Sequence, residues 1–318
     1  MQYLGIDLGG TNIAAGLVDE HGEVLFDLSC PTGSARGPQA VVDDMAALCT
    51  ELLQLAGATH RDVAAIGVGT PGVCDARRGT LVFANNLHFT DVPIAAMLQQ
   101  ALPLPVFLEN DATAAGIAEH ELGALRGVDN GQFVTLGTGI GGCLFIDGKV
   151  YAGTHGYAAE IGHMVTHAGG DVCTCGLAGC WERYAAAPAL IRAGRAAAKA
   201  APRSLLHHIV NGNLQNLTAK DVVDCARAGD ETALSVFHAY VHELALGVIG
   251  LIHLYDPAVV CLGGGVAQAG DFLLQPLKEA VAAGVMYKAL PHARLCLTAL
   301  AGDAGIVGAA MLGKAAGK

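Results

Sequence analysis

A strand and hairpin pattern occurs twice in the chain, and this constrains the fold more than any other feature. "YLGIDLGGTNIAAGLVDEHGEVL" at 3–25 and "FVTLGTGIGGCLFIDGKVYAG" at 133–153 each run apolar strand, glycine-rich turn, apolar strand, polar hairpin turn and third strand. Two copies predict two similar domains. After the first copy come a helical pattern at about 38–56, a buried strand "VAAIGVGTPG", and a strand "PVFLEND" that leads into a helix from Asp111 to about Glu121. After the second come helices near 185–200, 218–228 and 230–254, a strand "AVVCLGGG", a helix at 271–283, and a last strand and helix in "RLCLTALAGDAGIVGAAML". Hairpins followed by alternating strands and helices predict an α/β fold in each half, with a nucleotide in a cleft between them. The expected division is 1–110 plus a C-terminal helix at about 303–318, against 111–302.

Composition agrees with two packed domains. The chain has 318 residues, longer than the roughly 250–300 at which single cores stop growing, with 53% hydrophobic and 15% charged residues. A formal charge of -11 with no Lys/Arg cluster argues against nucleic acid or an anionic membrane as partner. Any phosphate must then be held by backbone amides or a cation. The start "MQYLGIDLGG" lacks the basic and apolar regions of a signal peptide, and the apolar run "LALGVIGLI" at 244–252 ends before His253 and Asp256, so a soluble cytoplasmic protein is expected.

Of the ten cysteines, Cys30, Cys49, Cys74, Cys143, Cys225, Cys261 and Cys296 are scattered singly through apolar segments and read as free thiols. Cys173, Cys175 and Cys180 form C-x-C-x4-C, and the intervening Gly176 and Gly179 allow the sulfurs to converge, a strong zinc signature. His163, His167 and Asp171 compete for the fourth position, and an open position holding water would make the zinc catalytic. Spacing leaves these options open.

"DLGGT", with Asp7, Gly9, Gly10 and Thr11, and "GTGIGG" at 137–142 suit close approach of backbone amides to an anion, with "LGGG" at 262–265 as a third loop. Each alone reads as a hairpin turn. Two in equivalent places point to phosphate binding, although neither a P-loop nor a Rossmann fingerprint is present. In "PVFLENDATAAG" a strand delivers Asn110 and Asp111 to a helix start, where they serve either as an N-cap or, for Asp111, as a general base at a strand end. Asp7 occupies the same kind of position and suits magnesium, usually through water.

Taken together, "GIDLGGTN", "GVGTPG", "LENDA", "GTGIGG", "EIGH" at 160–163, "CTCGLAGCWE" at 173–182, "VVCLGGG" and "GDAG" at 302–305 resemble the ROK family, in particular its bacterial glucokinase-like members, over nearly the whole chain. The resemblance implies the two-domain actin-like or hexokinase-like ATPase fold (ribonuclease H-like) and an ATP-dependent hexose kinase that transfers phosphate to the sugar 6-hydroxyl. It implies Asp111 as base and Asn110, Glu160, His163 and Glu182 as sugar ligands, with Gly72 and Asn86 at the rim. Asp7, Gly9, Gly10, Thr11, Thr138 and Gly139 would surround the ATP phosphates and Mg2+, and Gly264 would lie near the nucleoside. Structural Zn2+ would be held by His163, Cys173, Cys175 and Cys180, leaving no place for reactive water and making the metal a clip. The same resemblance implies a homodimer and admits related sugars: N-acetylmannosamine, N-acetylglucosamine or fructose. Repressors of the family carry a helix-turn-helix before the first "DLGGT"-like segment, where only six residues stand here. Tyr157, Trp181 and Cys143 depart from the family pattern and bear on which sugar fits.

Overall fold

The computed structural model describes residues 1–300 and 304–316. The chain divides into two compact units, one of 1–127, 150–158 and 298–318, the other of 128–149 and 159–297.

The first unit begins with β1 (Gln2–Leu8), β2 (Asn12–Asp19) and β3 (Val24–Pro31), then α1 (Pro38–Leu55) and β4 (Val63–Thr70). It continues through β5 (Val73–Asp75), β6 (Thr80–Ala84), β7 (Phe89–Val92), α2 (Ile94–Ala101), β8 (Val106–Asn110) and α3 (Asp111–Leu122). Its main sheet has the order β3-β2-β1-β4-β8. The first three strands are antiparallel, and β4 and β8 add in parallel.

The second unit holds β9 (Gly131–Leu136), β10 (Ile140–Ile146), β11 (Lys149–Val150), α4 (Glu182–Ala185), α5 (Ala187–Ala200), α6 (Leu205–His208), α7 (Ala219–Arg227) and α8 (Glu231–Tyr255). β12 (Val259–Gly263), α9 (Asp271–Gly284) and β13 (Arg294–Leu297) complete it. The sheet order β11-β10-β9-β12-β13 again sets a hairpin beside parallel strands. The duplication in sequence is therefore a duplication of topology.

The last helix, α10 (Ala304–Ala316), returns to the first unit and lies on β1 and β4. Close approach requires glycine there: a Cβ on Gly67 would sit 1.8 Å from the Ala309 carbonyl. Glu119, only 1% exposed, ties α3 to the segment before this helix by accepting from the Thr298 hydroxyl and, at 2.9 Å, from the Leu300 N–H. Of "GDAG", Gly302 and Asp303 lie outside the described residues.

Several expectations change in detail. The three-stranded sheet β5-β6-β7 comes from strands of three to five residues, too short to show a period in sequence. The helix expected at 185–200 is two, because Ala186 is extended and Pro188 opens α5. The apolar run at 244–252 belongs to the 25-residue α8, which by length and composition is long and apolar enough to cross a membrane. Half of that stretch is buried within the unit's own core.

Candidate functional site

In the first unit the ends of β1 and β8 bring Asp7 beside Asp111. Asn110 caps α3: its Oδ1 accepts from the Ala112 N–H at 2.9 Å, while its Nδ2 donates to the Gly72 carbonyl at 2.9 Å. The cap and a functional role are thus compatible in one residue. Gly72 has φ 93°, and a Cβ there would meet the Phe83 carbonyl at 2.2 Å, so the turn that presents the Gly72 carbonyl to Asn110 requires glycine.

Asp111 opens to solvent, but the surrounding protein displaces enough water to raise its carboxyl above the ordinary range, against the lowering effect of the Ala112 N–H. Partial burial, and then the Asp111 charge, push Asp7 up to about 6. The two carboxylates repel each other, and a divalent cation would relieve that repulsion. The first turn of α10 touches the same place, since a Cβ on Gly305 would lie 2.2 Å from Asp7 Oδ2. At the first glycine turn the Gly9 N–H is taken by the Asn12 carbonyl at 2.9 Å, so it closes the hairpin instead of facing an anion. Gly10 and the exposed Thr11 remain, with Asn86 packed beside Gly10.

Glu109 was not singled out in sequence, although it is a lone charge in an apolar strand. Burial raises its carboxyl to about 7, opposed by hydrogen bonds from the Asn110 N–H and Thr113 side chain. It lines a cavity of about 180 Å³ with Cys74, Arg77, Thr154 and His155. Relative to an ordinary value of 4.5, its raised pKa stabilises the fold fully below that pH, and the stabilisation is lost as pH rises through about 7. Glu109→Gln should therefore leave urea stability at about pH 3.5, below the ordinary value, unchanged and raise it at about pH 8, on the order of 2 kcal/mol.

In the second unit the four zinc candidates converge. One ligand atom from each of His163, Cys173, Cys175 and Cys180 lies within 4.8 Å of all the others. Cys175 and Cys180 sulfurs are 3.6 Å apart and His163 Nδ1 is 3.7 Å from Cys173 Sγ. Zinc–sulfur bonds of about 2.3 Å place tetrahedral sulfurs about 3.8 Å apart, so the donor set fits zinc. His167 and Asp171 are engaged elsewhere. The His167 ring stacks on Tyr184 at 4.0 Å and its Nε2 faces Glu243 at 3.4 Å, and Asp171 pairs with Arg192 at 3.5 Å.

The loop between these ligands forms no strand longer than the isolated bridges Val165–Cys180 and Val172–Ala178 and is tied by turn hydrogen bonds such as Cys173 N–H to the Leu177 carbonyl at 2.7 Å. Glu182 lies against it, with Oε1 3.1 Å from Cys173 Sγ. A Cβ on Gly139 would be 2.8 Å from Glu182 Oε2, so the second glycine turn and the zinc loop meet at this carboxylate. Thr138 is exposed on that turn. Gly264, at φ 85°, packs against Leu136 at the base of the same turn. Glu160 is exposed and opens the helical turn Ile161–His163, directly after Ala159, a non-glycine residue at φ 66°.

The departures also take their places. Trp181 is fully buried and Cys143 is 1% exposed, so both are core residues, whereas Tyr157 is 52% exposed.

This pairing of a carboxylate at a strand end with glycine turns on a duplicated sheet defines a sugar kinase of the actin-like, hexokinase-like class. The chain belongs to the ROK family, whose model matches residues 3–316. It is 36% identical to a glucokinase of Thermotoga maritima over 98% of this chain and 97% of that one. It is 33% identical to an N-acetylmannosamine kinase of Shigella boydii over 98% of each. Among solved structures it resembles a ROK family glucokinase from Streptomyces griseus in complex with glucose and AMPPNP, with TM-score 0.86, 35% identity, and coverage of 99% of this chain and 100% of that one.

Proposed function

We propose that the chain is an ATP-dependent glucokinase that converts ATP and D-glucose to ADP and glucose 6-phosphate. The observation that carries this reading is the Asp111 carboxyl: it stands at the start of α3, held by the cap at Asn110, with a pKa raised toward the range useful for a base.

In this reading Asp111 accepts the proton of the 6-hydroxyl as its oxygen attacks the γ-phosphorus, and the β–γ oxygen leaves with ADP. Asn110 and the Gly72 carbonyl it holds orient neighbouring hydroxyls, with Asn86 at the rim. Glu160, His163 and Glu182 bind the others. His163 presents Nδ1 toward the cysteines, which leaves Nε2 as a donor of fixed direction. Gly10, Thr11, Thr138 and Gly139 face the phosphates, with Gly9 shaping the first turn and Gly264 supporting the nucleoside side. Asp7 would hold Mg2+ through water, and the cation would supply charge neutralisation at the β- and γ-oxygens. Zn2+ on His163, Cys173, Cys175 and Cys180 is structural. The enzyme acts as a cytoplasmic homodimer, a reading supported by the family resemblance.

The test is ADP release with Mg-ATP across glucose, mannose, fructose, allose, N-acetylglucosamine and N-acetylmannosamine. Glucose should give the highest kcat/KM. A higher value for N-acetylmannosamine or another sugar would reassign the substrate, and inactivity on all six would overturn the kinase reading.

A further inference from the structure

Trp181 is the only tryptophan in the chain, lies between the zinc candidate Cys180 and the sugar candidate Glu182, and is fully buried. Its indole Nε1 donates to the Glu243 carbonyl of α8 at 3.0 Å. One helical turn further, a Cβ on Gly247 would lie 1.9 Å from indole Cε2 and 2.3 Å from Cδ2. A glycine in the middle of a helix weakens it relative to alanine, so its presence has a packing reason here. Three residues on and on the same face, Gly250 faces Met164, whose Cε would be 3.4 Å from an added Cβ. Met164 directly follows His163, and its carbonyl accepts from the Trp181 N–H at 2.8 Å. Both arms of the zinc loop therefore rest on one face of α8.

We propose that Trp181 is a positioning residue: seated in the notch that Gly247 leaves on α8, it fixes Cys180 and Glu182, while Met164 on Gly250 fixes His163. The sugar and zinc candidates are thereby referenced to a 25-residue core helix and not only to the loop's own turns. The part concerning sugar rests on the kinase reading. The part concerning the loop does not.

The experiment compares Gly247→Ala, Gly250→Ala, Trp181→Leu and the double variant Trp181→Leu/Gly247→Ala in the full chain with zinc. Gly247→Ala should unseat the indole, raising the glucose KM about tenfold with kcat within about threefold, since binding geometry is lost while the base at Asp111 is untouched. Its tryptophan emission should shift to the red, and zinc should be lost to EDTA faster than from wild type. Gly250→Ala, which meets only the flexible end of Met164, should change KM less than threefold or so. Trp181→Leu, which lacks the indole's bond to Glu243, should itself raise KM about threefold, and the double variant should match it and so stay well below Gly247→Ala, because leucine clears the added methyl.

An unchanged KM and emission in Gly247→Ala would overturn the proposal, as would a double variant no better than the single one. If Gly247→Ala alone does not fold, recovery or failure of the double variant decides the question in the same terms. A wild-type chain that phosphorylates no sugar would refute the kinase reading, and the emission and zinc-loss measurements would still decide the lock.

Discussion

Asp111→Asn is expected to lower kcat for glucose phosphorylation about a thousandfold while leaving glucose affinity within a few-fold of wild type. Asparagine keeps the volume and an oxygen that can accept from the Ala112 N–H, which Asp111 Oδ1 does at 2.7 Å, so the first turn of α3 should survive. Its amide cannot take the proton of the 6-hydroxyl. The substitution also removes the charge that helps hold Asp7 near 6, so Asp7 should ionise more readily and folding stability should not fall. The measurement pairs coupled ADP release with direct glucose binding. A variant within tenfold of the wild-type rate would assign the base elsewhere, and loss of binding together with rate would make Asp111 a sugar anchor above all.

The wild-type acid limb should follow the same groups. Asp111 and Asp7 must be ionised to act as base and as cation ligand, and burial raises both. In the free enzyme kcat/KM should therefore decline as pH falls through about 6, well above the ordinary carboxylate range.

What could be read from sequence was what local chemistry dictates. The duplicated hairpins were visible because strand periodicity and glycine turns are local signals, and both five-stranded sheets follow them. The cysteine spacing predicted that the sulfurs converge but left the fourth donor open among His163, His167 and Asp171; the family resemblance pointed to His163, and the physical reason the others are engaged, stacking on Tyr184 and the pair with Arg192, joins residues 17 and 21 positions apart. Gly9 shows the opposite case: its type suits an anion loop, yet its N–H is used by the hairpin. Trp181 was expected to bear on which sugar fits because it departs from the family pattern between the candidates Cys180 and Glu182, yet it is a core residue. Its partners Glu243 and Gly247 lie more than 60 residues away, and no local pattern points to them.

Removing zinc, by chelation or by Cys180→Ser, should lower glucose affinity at least about a hundredfold and expose the loop's backbone to hydrogen exchange. Between His163 and Glu182 the chain is held by backbone hydrogen bonds of its own, such as Cys173 N–H to the Leu177 carbonyl and Gly179 N–H to the Asp171 carbonyl, while Val165, Val172 and Leu177 are 49%, 71% and 52% exposed, so apolar burial contributes little to its order. Structural zinc contributes on the order of 10 kcal/mol in small metal-folded peptides, far more than such a loop gains from its own contacts. Without the metal, burial pushes the Cys180 thiol up to about 12 and Cys173 is also raised, while the exposed Cys175 is lowered by the Leu177 backbone, so two of the three sulfurs favour the neutral thiol and no cation draws the four donors together. His163 then has no reason to hold Nε2 toward a hydroxyl, and Glu182 keeps the Cys173 sulfur at 3.1 Å as its partner. Exchange should rise across 164–180 and remain low in α8, where the buried face of the helix belongs to the core. Protection of the loop and wild-type glucose affinity in a zinc-free chain would show that the cysteines pack but do not clip.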